Sequence, residues 1–575
     1  MWSYKLSVPQ PNSRFLHIDF ECEIADNETI KLALPKWRPG RYELGNFAKN
    51  IGTFAAYDQN GAVLKWQKVD SHTWEIHTKG AKSLKVSYTY YAAQPDAGAC
   101  WVDEDLTYVN PIHCCVYIVD ELSTACKMEL IGMSNKTLAS SLPHKKHLMQ
   151  ARDFHELVDS PFFVSNKLQH RNYECEGINF HVWLQGECSP NWERIIKDFK
   201  NFTEVQLKMM NGFPVKDYHF FVLLLPFKFY HGVEHVANTV LALGPGNQLM
   251  NDNLYNDFIG VASHELFHSW NVKTLRPADF HTYQYNKENY SRLGWVYEGI
   301  TTYYGDLFLA RSGFFNVKNY LEEVNARLQK HLDNYGRFNS SVSESSFDTW
   351  LDGYVPGIPN RKTSIYDEGS LIAMILDLSL RKATNNIYSL DHLYAQLYKD
   401  FTKEEIGYRE TDFKNLAIEK GGEGMRFVFE ELINRPISYE SYLHEVLDHI
   451  GCYISKKKSK SLMESYFGCK LIAEGNMIKI SQVIPDSPAA VNGLAKDDEL
   501  IAVNGWKIEG NLNDLLKNAN GNVELTVFSM RKMKQIKISK TEQTYFDMVS
   551  VQAIDNPSEQ QKNNFKMWCG LEIGA

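Results

Sequence analysis

The sequence predicts a multidomain α+β fold: a β-rich first third, a mostly helical middle and a compact β-rich module near the C-terminus. The chain has 575 residues, which corresponds to three or so domains at about 150 residues each. The hydrophobic pattern changes near residue 188, from short runs typical of strands to long stretches typical of helices. A lysine-rich stretch at 455–461 then separates the middle from the last module.

Residues 1–187 are predicted to form an N-terminal β-rich domain. Short runs of β-branched and aromatic residues are broken there by Gly, Asn, Asp or Pro. Antiparallel strands of this kind pack most naturally as a β-sandwich-like domain. The predicted strands are Leu16 to Ile24, Thr29 to Leu34, Thr73 to His77, Leu84 to Tyr91 and Tyr108 to Val119.

Residues 188–455 are predicted to form a mostly α-helical domain with two apolar strands, His219 to Leu225 and Thr239 to Leu243. The module that follows is predicted at 456–545 and a C-terminal tail at 546–575. The predicted helices cover Asn191 to Met210 and residues 252–273, 293–311, 317–333, 366–382, 388–401 and 438–449.

Composition restricts the classes of function. Hydrophobic residues make up 44% of the chain and charged residues 23%, values typical of globular proteins. A formal charge of −9 and a pI near 6.1 give no basic patch for nucleic acid or an anionic membrane. The most apolar runs, Phe220 to Leu225 and Leu371 to Leu376, are too short to span a bilayer.

The compartment is predicted to be the cytoplasm. The first residues lack the charged region and long apolar core of a signal peptide. The ten cysteines form no CxxC pair and no small-domain framework. We therefore expect free, mostly buried thiols in a reducing environment.

The most informative stretch is His264-Glu-Leu-Phe-His268. In a helix, residues four positions apart project from the same face, one turn above the other. Two imidazoles at that spacing can hold one zinc ion, and Glu265 between them can accept a proton from the water that such an ion activates. These five residues alone leave open a helix with two ordinary histidines, so the prediction needs a third ligand.

Glu298 is the candidate for that ligand, since it lies in a largely apolar stretch that is predicted helical. A carboxylate among bulky side chains is costly to bury unless something neutralises it. The alternative is an exposed Glu298, with Glu288 and Asp306 as rival ligands. Two histidines and one glutamate leave a fourth coordination position open, as in catalytic zinc sites.

A second segment, Tyr230-His-Gly-Val-Glu-His235, offers groups for a substrate amine. Glu234 can pair with an ammonium, and Gly232 lets a substrate backbone approach closely. His235 can donate to a substrate carbonyl or fill a turn. By itself this segment fits a structural turn as well as a binding site.

Tyr366 is the candidate donor to an oxyanion. It opens a predicted helix, and its phenol should stay protonated near neutral pH. The chain has 31 tyrosines, most of which must serve packing, so spacing alone does not select this one.

A family resemblance adds to these candidates. Residues 264–277, His-Glu-Leu-Phe-His-Ser-Trp-Asn-Val-Lys-Thr-Leu-Arg-Pro, look like the zinc helix of the glycyl aminopeptidase family of gluzincin metallopeptidases. The Trp, Asn and Lys after the second histidine make this match far more specific than the five-residue motif. Similar segments extend over nearly the whole chain: Trp37-Arg-Pro-Gly-Arg-Tyr42 with Asn46 to Asn50, Gly232-Val-Glu-His235, Trp295-Val-Tyr-Glu-Gly299 and Tyr366-Asp-Glu-Gly369.

The resemblance implies a thermolysin-like zinc peptidase domain with one zinc ion at the two histidines and Glu298. It also implies that Glu234 binds the substrate amine and that Tyr366 donates a proton. The expected substrates are peptides with a free N-terminus and a small first residue, glycine or alanine. One departure concerns Glu368, which stands where the family carries lysine and would reverse a charge near the pocket.

The last module resembles a PDZ domain through residues 480–494 and 497–505. Its turns at Asn492-Gly493 and Asn504-Gly505 fit that pattern. PDZ domains bind extended chain ends by adding a strand, and Tyr466-Phe-Gly-Cys469 is the candidate carboxylate-binding loop. Capture of a peptide or protein C-terminus and a purely structural role are both open.

Three hypotheses follow. The first is a zinc aminopeptidase, whose cleavage N-acetylation should block. The second is a PDZ-assisted zinc endopeptidase, which should cut acetylated peptides as well. The third is a catalytically silent PDZ scaffold, which should lack zinc. The sequence leaves open the preferred first residue, the peptide length, the physiological substrate and the oligomeric state.

Overall fold

The computed structural model of the chain describes residues 1–25, 28–355, 357–403, 406–518 and 521–573. Its β-rich regions lie before residue 190 and after residue 450, and most of its helices lie between them. The predicted multidomain α+β class is confirmed.

An eight-stranded sheet is the largest element of the N-terminal region. Its strand Ser83–Tyr91 alternates buried and partly exposed residues, the pattern of a sheet with one face against a core. A four-stranded sheet contributes residues to the same apolar core, in agreement with sandwich-like packing. The strands are Trp2–Ser7, Phe15–Glu23, Thr29–Ala33, Ile51–Tyr57, Val63–Leu64, Trp66–Lys68, Thr73–His77, Ser83–Tyr91, Trp101–Val102, Leu106–Val109, Tyr117–Ile118, Cys126–Ile131, Thr137–Ser140, His144–Lys145, Leu148–Ala151 and Phe162–Ser165.

The predicted strand from Tyr108 to Val119 is interrupted. One helical turn, Pro111–Cys114, separates the strands Leu106–Val109 and Tyr117–Ile118. Pro111 stands at the start of this turn, where its fixed φ and missing N–H cost nothing. A proline in the middle of a strand would have removed a ladder hydrogen bond.

A five-stranded sheet connects the N-terminal region to the helices. It includes the hairpin formed by Gln169–Cys175 and Ile178–Gln185, because Ile178–Gln185 pairs in parallel with Asp217–Leu224. This sheet therefore crosses the predicted domain boundary at residue 187. Next come Asn238–Gly244 and, at the edge, Phe229–Glu234, which we call the edge strand.

Four helices of the middle region carry or border the residues singled out above. We call them the motif helix (Asp252–Phe267), the crossing helix (residues 295–311), the rim helix (Val317–Asp333) and the tyrosine helix (Ile365–Ala383). The crossing helix begins with a π-helical turn, Trp295–Ile300, and continues as Thr301–Arg311. The other helices are Phe154–Val158, Trp192–Met210, Val342–Phe347, Thr349–Asp352, Leu390–Lys403, Glu410–Gly421, Val428–Ile433 and Glu440–His449.

The β-rich module has an apolar core of its own and leaves the helical region through a two-stranded ribbon. Cys452–Lys457 pairs antiparallel with Met548–Ala553. The chain therefore enters and leaves the module at the same place. Part of the predicted lysine-rich linker is thus a strand. The module comprises the strands Cys469–Glu474, Met477–Val483, Glu499–Val503, Trp506–Lys507, Asn522–Ser529 and Lys532–Ser539, and the helices Leu462–Phe467, Pro488–Val491 and Leu512–Lys517.

The predicted C-terminal tail contains a helix, Glu559–Cys569, which packs into the helical core. Trp568 is fully buried, and its indole N–H donates to the Tyr303 hydroxyl (2.7 Å). The Arg311 Nε donates to the Trp568 carbonyl (3.0 Å). The residues after the module therefore complete the core of the helical region.

Among the described residues, no helix combines the length and apolar character needed to cross a membrane. All ten cysteines are free, and all except Cys188 are buried. The prediction of free, mostly buried thiols is confirmed.

Replacing Trp568 by alanine should lower the free energy of unfolding by about 3–5 kcal/mol, because a large buried side chain is lost and the Tyr303 hydroxyl loses a donor. Urea denaturation followed by circular dichroism measures the change. The matched control is Met567→Ala on the same helix. Met567 is 50% exposed, so its change should stay within about 0.5 kcal/mol. Equal effects of the two substitutions would contradict this description of the C-terminal helix.

Candidate metal centre

The motif helix presents His264 and His268 one turn apart, as predicted. The helix ends at Phe267, earlier than the predicted residue 273. The carbonyl of His268 accepts the N–H groups of Val272 (3.2 Å) and Lys273 (3.0 Å), so tight turns follow the second histidine. These turns determine which groups surround its imidazole.

The two imidazoles point at each other. Their Nε2 atoms are 3.1 Å apart, with the rings nearly perpendicular. The Nδ1 of His268 lies 2.7 Å from the carbonyl oxygen of Asn271. Because a carbonyl only accepts, Nδ1 carries the proton, and Nε2 of the neutral ring has a free lone pair. His268 is thus oriented as a metal ligand.

Glu298, on the crossing helix, lies beside the imidazole of His268. It is 3% exposed, and its Oε2 lies 3.5 Å from Nε2 of His268. The crossing helix and the tyrosine helix touch at Gly299 and Gly369, where a Cβ on either glycine would overlap the backbone of the other helix. This close approach brings the first turns of both helices to the histidines.

Asn271 ties two of these residues together. Its carbonyl accepts from His268, while its side-chain amide donates to the carbonyl of Val296 (3.0 Å) and to the Thr301 hydroxyl (3.0 Å), both on the crossing helix. One buried asparagine therefore orients an imidazole and holds the helix that carries Glu298.

The donor atoms of His264, His268 and Glu298 lie within 4.8 Å of one another. Two ligand atoms that are each about 2.0–2.1 Å from a tetrahedral ion lie about 3.4 Å apart. The separations of 3.1 and 3.5 Å fit this value. Two imidazoles and one carboxylate are also a donor set that zinc favours, so the residues fit a zinc ion.

Two further carboxylates lie beside the ligands. Ligand atoms of Glu234, Glu265 and His268 also lie within 4.8 Å of one another. One oxygen each of Glu234 and Glu265 is buried without a hydrogen-bond partner among the described residues. Buried carboxylates without partners are costly, and a cation at this point would offset that cost.

A cavity of about 550 Å³ opens onto the site. It brings together seven of the eight residues singled out from the sequence: Gly232, Glu234, His264, Glu265, His268, Glu298 and Tyr366. The eighth, His235, lines a separate cavity of about 170 Å³, and its Nδ1 lies 3.1 Å from Asp159. It is not placed to contact a substrate in the large cavity.

The segment that contains Glu234 is a strand rather than the turn that the sequence left open. The edge strand pairs antiparallel with Asn238–Gly244 and has no second partner among the described residues. Gly232 lies against Glu265, and a Cβ at Gly232 would overlap that carboxylate. The exposed edge of this strand therefore runs beside the metal ligands.

Tyr366 lies in the first turn of the tyrosine helix and lines the cavity, as does Tyr354. Burial and the charge of Glu298 raise the pKa of Tyr366 well above its usual value. The phenol stays protonated at neutral pH and can donate a hydrogen bond.

Glu368 does not face the cavity. It is fully buried, and its Oε2 lies 2.7 Å from the Nδ1 of His331. The expectation that Glu368 reverses a charge near the pocket is wrong, because successive helix positions project about 100° apart, and Tyr366 and Asp367 line the cavity while Glu368 does not.

The N-terminal region supplies part of the cavity wall, and sequence reasoning missed most of it. Gly40 packs against the carboxylate of Glu234, and Arg41 also lines the cavity. Tyr42 is buried, and burial together with the charge of Glu298 raises the pKa of its phenol well above the usual value. In the sequence, the stretch Trp37 to Tyr42 stands out only for its resemblance to the glycyl aminopeptidase family. Nothing in its spacing relates it to residues more than 190 positions later.

The buried charges shift the protonation of the site. Burial raises the pKa of Glu265 well above its usual value; His268 opposes this shift, while Glu234 and Glu298 add to it. Burial alone would lower the pKa of His268, but its hydrogen bond to Glu298 and the carboxylate charges raise it to about 10. His268 of the metal-free protein is therefore an imidazolium at neutral pH.

Family models match three parts of the chain. Residues 3–166 match the peptidase M61 N-terminal domain, residues 257–372 match M61 glycyl aminopeptidase, and residues 455–528 match the PDZ domain. These matches confirm the resemblance drawn from the sequence motifs.

One of the similar solved structures shares the fold over the whole chain. The aminopeptidase N family protein from Idiomarina loihiensis is similar over 99% of this chain and 100% of its own, with 24% sequence identity and a TM-score of 0.90. The M1 zinc metallopeptidase from Deinococcus radiodurans covers 76% of this chain with 94% of its own, at 14% identity and a TM-score of 0.44. Comparison with curated proteins gave no match.

Replacing Glu298 by alanine should weaken zinc binding at least about 100-fold, since loss of an outer-shell partner alone costs about 10- to 100-fold. Competition with a chelator measures the affinity. The matched control is Asp306→Asn, because Asp306 lines the same cavity but is paired with Arg327 (2.6 Å). Loss of zinc from Asp306→Asn or Glu288→Gln, with zinc retained by Glu298→Ala, would show that the ligand is assigned wrongly.

Zinc binding should release at least one proton per ion at pH 8. His268, with a pKa of about 10 in the metal-free protein, must lose its proton before Nε2 can bind a metal. Apparent affinity should therefore rise with pH and stop rising, as far as His268 is concerned, above pH 10. Titration calorimetry in two buffers of different ionisation enthalpy counts the protons. Equal heats in both buffers would contradict the protonated His268.

Proposed function

We infer that this chain, a metallopeptidase with peptidase M61 and PDZ domains, is a zinc-dependent aminopeptidase acting on peptides with a free N-terminus. The observation that carries the proposal is the position of Glu234. Its carboxylate lies within 4.8 Å of Glu265 and His268 but is not needed to complete the set of three ligands. A carboxylate there can bind a substrate ammonium and so place the first peptide bond at the ligands.

We assign one zinc ion to His264, His268 and Glu298. When bound, zinc would supply Lewis-acid chemistry, polarising the substrate carbonyl and activating water. The protein supplies the orientation of the ligands and a cavity in which charges act through a low dielectric.

Glu265 is the proposed general base. Its raised pKa, caused first by burial, brings a carboxylate closer to the range in which it can accept a proton from water and return it to the leaving amine. Tyr366 is the proposed donor to the oxyanion, because its phenol lines the cavity and stays protonated.

The edge strand is the proposed docking site for the substrate backbone. Its N–H and C=O groups on the free side can pair with an extended peptide. Gly232 lets that peptide approach beside Glu265, and Glu234 ends the strand. A substrate whose amine is bound at Glu234 then extends back along the strand.

The wall behind Glu234 supports cleavage from the chain end rather than within the chain. Gly40 packs against the carboxylate, and the guanidinium of Arg41 lies 4.6 Å from the ring centre of Tyr354. Both Arg41 and Tyr354 line the cavity. A peptide that continued past Glu234 would meet this wall, which favours the aminopeptidase hypothesis over the endopeptidase one.

The finer parts of the proposal rest on the domain matches and on composition. We propose a preference for a small first residue, glycine or alanine, of which the M61 glycyl aminopeptidase match supports glycine. We propose a peptide or protein C-terminus as a ligand of the PDZ domain. The proposed location is the cytoplasm, since all ten cysteines are free thiols.

A panel of short peptides, each with and without an N-acetyl group, tests this function. We expect cleavage of the free peptides to be fastest with glycine or alanine first and to stop with a chelator. Acetylation should lower kcat/KM at least about 1,000-fold, because Glu234 loses a charged partner in a buried site. Mass spectrometry of the products gives the cleaved bond.

Glu265→Gln is the control for contaminating peptidases. It should retain zinc while turnover falls by at least about 1,000-fold, because the general base is lost. Cleavage of acetylated peptides at internal bonds would support the endopeptidase hypothesis instead. Absence of zinc and of turnover in the purified wild type would support the scaffold.

A further inference from the structure

Glu234 is held without help from its own hydrogen bonds. The residue is 4% exposed, and its Oε1 has no hydrogen-bond partner among the described residues. The position of the carboxylate therefore depends on its packing against Gly40 and on the backbone that carries it. That backbone is the last residue of the edge strand, directly before the turn at 235–238.

The turn is closed by local hydrogen bonds. The N–H of His235 donates to the carbonyl of Asn238 (3.0 Å), and the Thr239 hydroxyl donates to the carbonyl of Val233 (2.9 Å). These bonds fix the shape of the turn. The edge strand itself packs on the motif helix at Gly232, but these bonds do not join the turn at 235–238 to the turn that follows the motif helix, which requires a further contact.

Asp159 of the N-terminal region makes that contact. Its Oδ2 accepts the N–H of Val236 (2.8 Å), and its Oδ1 lies 3.1 Å from Nδ1 of His235. The same Oδ1 accepts from the ammonium of Lys273 (2.6 Å). One carboxylate thus joins the turn after Glu234 to the turn after the motif helix.

Lys273 is fixed at both ends. Its side chain is almost fully buried, and its N–H donates to the carbonyl of the ligand His268 (3.0 Å). The connection therefore runs from His268 through Lys273 and Asp159 to the turn that follows Glu234. No step in it involves a solvent-exposed side chain.

Asp159 is a charged member of this connection. Although burial opposes ionisation, Lys273 and His235 hold its pKa well below the usual value. The pair with Lys273 compensates both charges, so loss of the Asp159 charge leaves the buried ammonium of Lys273 without this carboxylate.

We propose that Asp159 is a positioning residue that sets the place of Glu234 relative to the metal ligands, so that the N-terminal region controls recognition of the substrate amine. This proposal rests on the function proposed above. It also gives His235 a place in the site: its imidazole supports the turn and does not contact the substrate.

The test is Asp159→Asn, which keeps the shape of the side chain but removes the charge that holds Lys273. For a free glycyl peptide, KM should rise about 10- to 100-fold, the scale of a misplacement near 1 Å. Zinc content should match that of the wild type, and kcat should stay within about 3-fold, because Glu265 and the ligands are untouched. Steady-state kinetics and metal analysis give all three values.

A double-mutant cycle separates positioning from general loss of stability. If Asp159 acts through Glu234, adding Asp159→Asn to Glu234→Gln should cause little further loss of kcat/KM. The matched control is Asp391→Asn, which breaks the ion pair with Arg311 (2.9 Å) away from the cavity. It should leave KM unchanged in both backgrounds.

Additive effects in the cycle, or an unchanged KM in folded Asp159→Asn, would overturn the proposal. If Asp159→Asn does not fold, Asp159→Asn with Lys273→Met removes both charges together and is read in the same way. Failure of the proposed function shows separately, in wild-type protein that cuts acetylated and free peptides equally. That result would overturn both proposals, while an unchanged KM with intact discrimination overturns only the role of Asp159.

Discussion

The rest of the structure depends on the burial of three carboxylates beside two imidazoles. Glu234, Glu265 and Glu298 converge on His264 and His268 within a few ångströms, an arrangement that is unfavourable without a cation. The zinc ion proposed at the two histidines and Glu298 would compensate this charge. It would leave Glu265 and Glu234 as the two carboxylates available for chemistry and for binding an amine. Burial of these charges is unfavourable in the metal-free protein. The same low dielectric strengthens their electrostatic interactions.

The structure around the site brings together residues that are remote in sequence. Glycines at 299 and 369 let two helices approach closely enough to bring Glu298 and Tyr366 to the histidines. Asn271 fastens the crossing helix to the second histidine. The N-terminal region closes the side behind Glu234 and, through Asp159, anchors the turn after it. The cavity at the candidate metal centre is thus built jointly by the β-rich and the helical regions.

How far the sequence could predict this site differs between residues. His264 and His268 follow from helical spacing, and Glu298 from the cost of burying a carboxylate in an apolar helix. Asp159 and Gly40 could not be found in this way, because their contacts join positions remote in sequence and carry no local periodicity. Most long helices of the middle region were predicted within a few residues, but Glu410–Gly421 was missed. The C-terminal helix was also missed, because its buried face becomes necessary only once the other helices are packed.

The most direct test of the central claim is a crystal structure of zinc-loaded protein with anomalous diffraction at the zinc edge, with glycine amide soaked in. We expect one zinc peak about 2.0–2.2 Å from Nε2 of His264, Nε2 of His268 and an oxygen of Glu298. The amine of the bound amide should lie within hydrogen-bond distance of Glu234. A zinc ion held by Glu234 or Glu265 in place of Glu298, or an amide bound away from Glu234, would contradict this account.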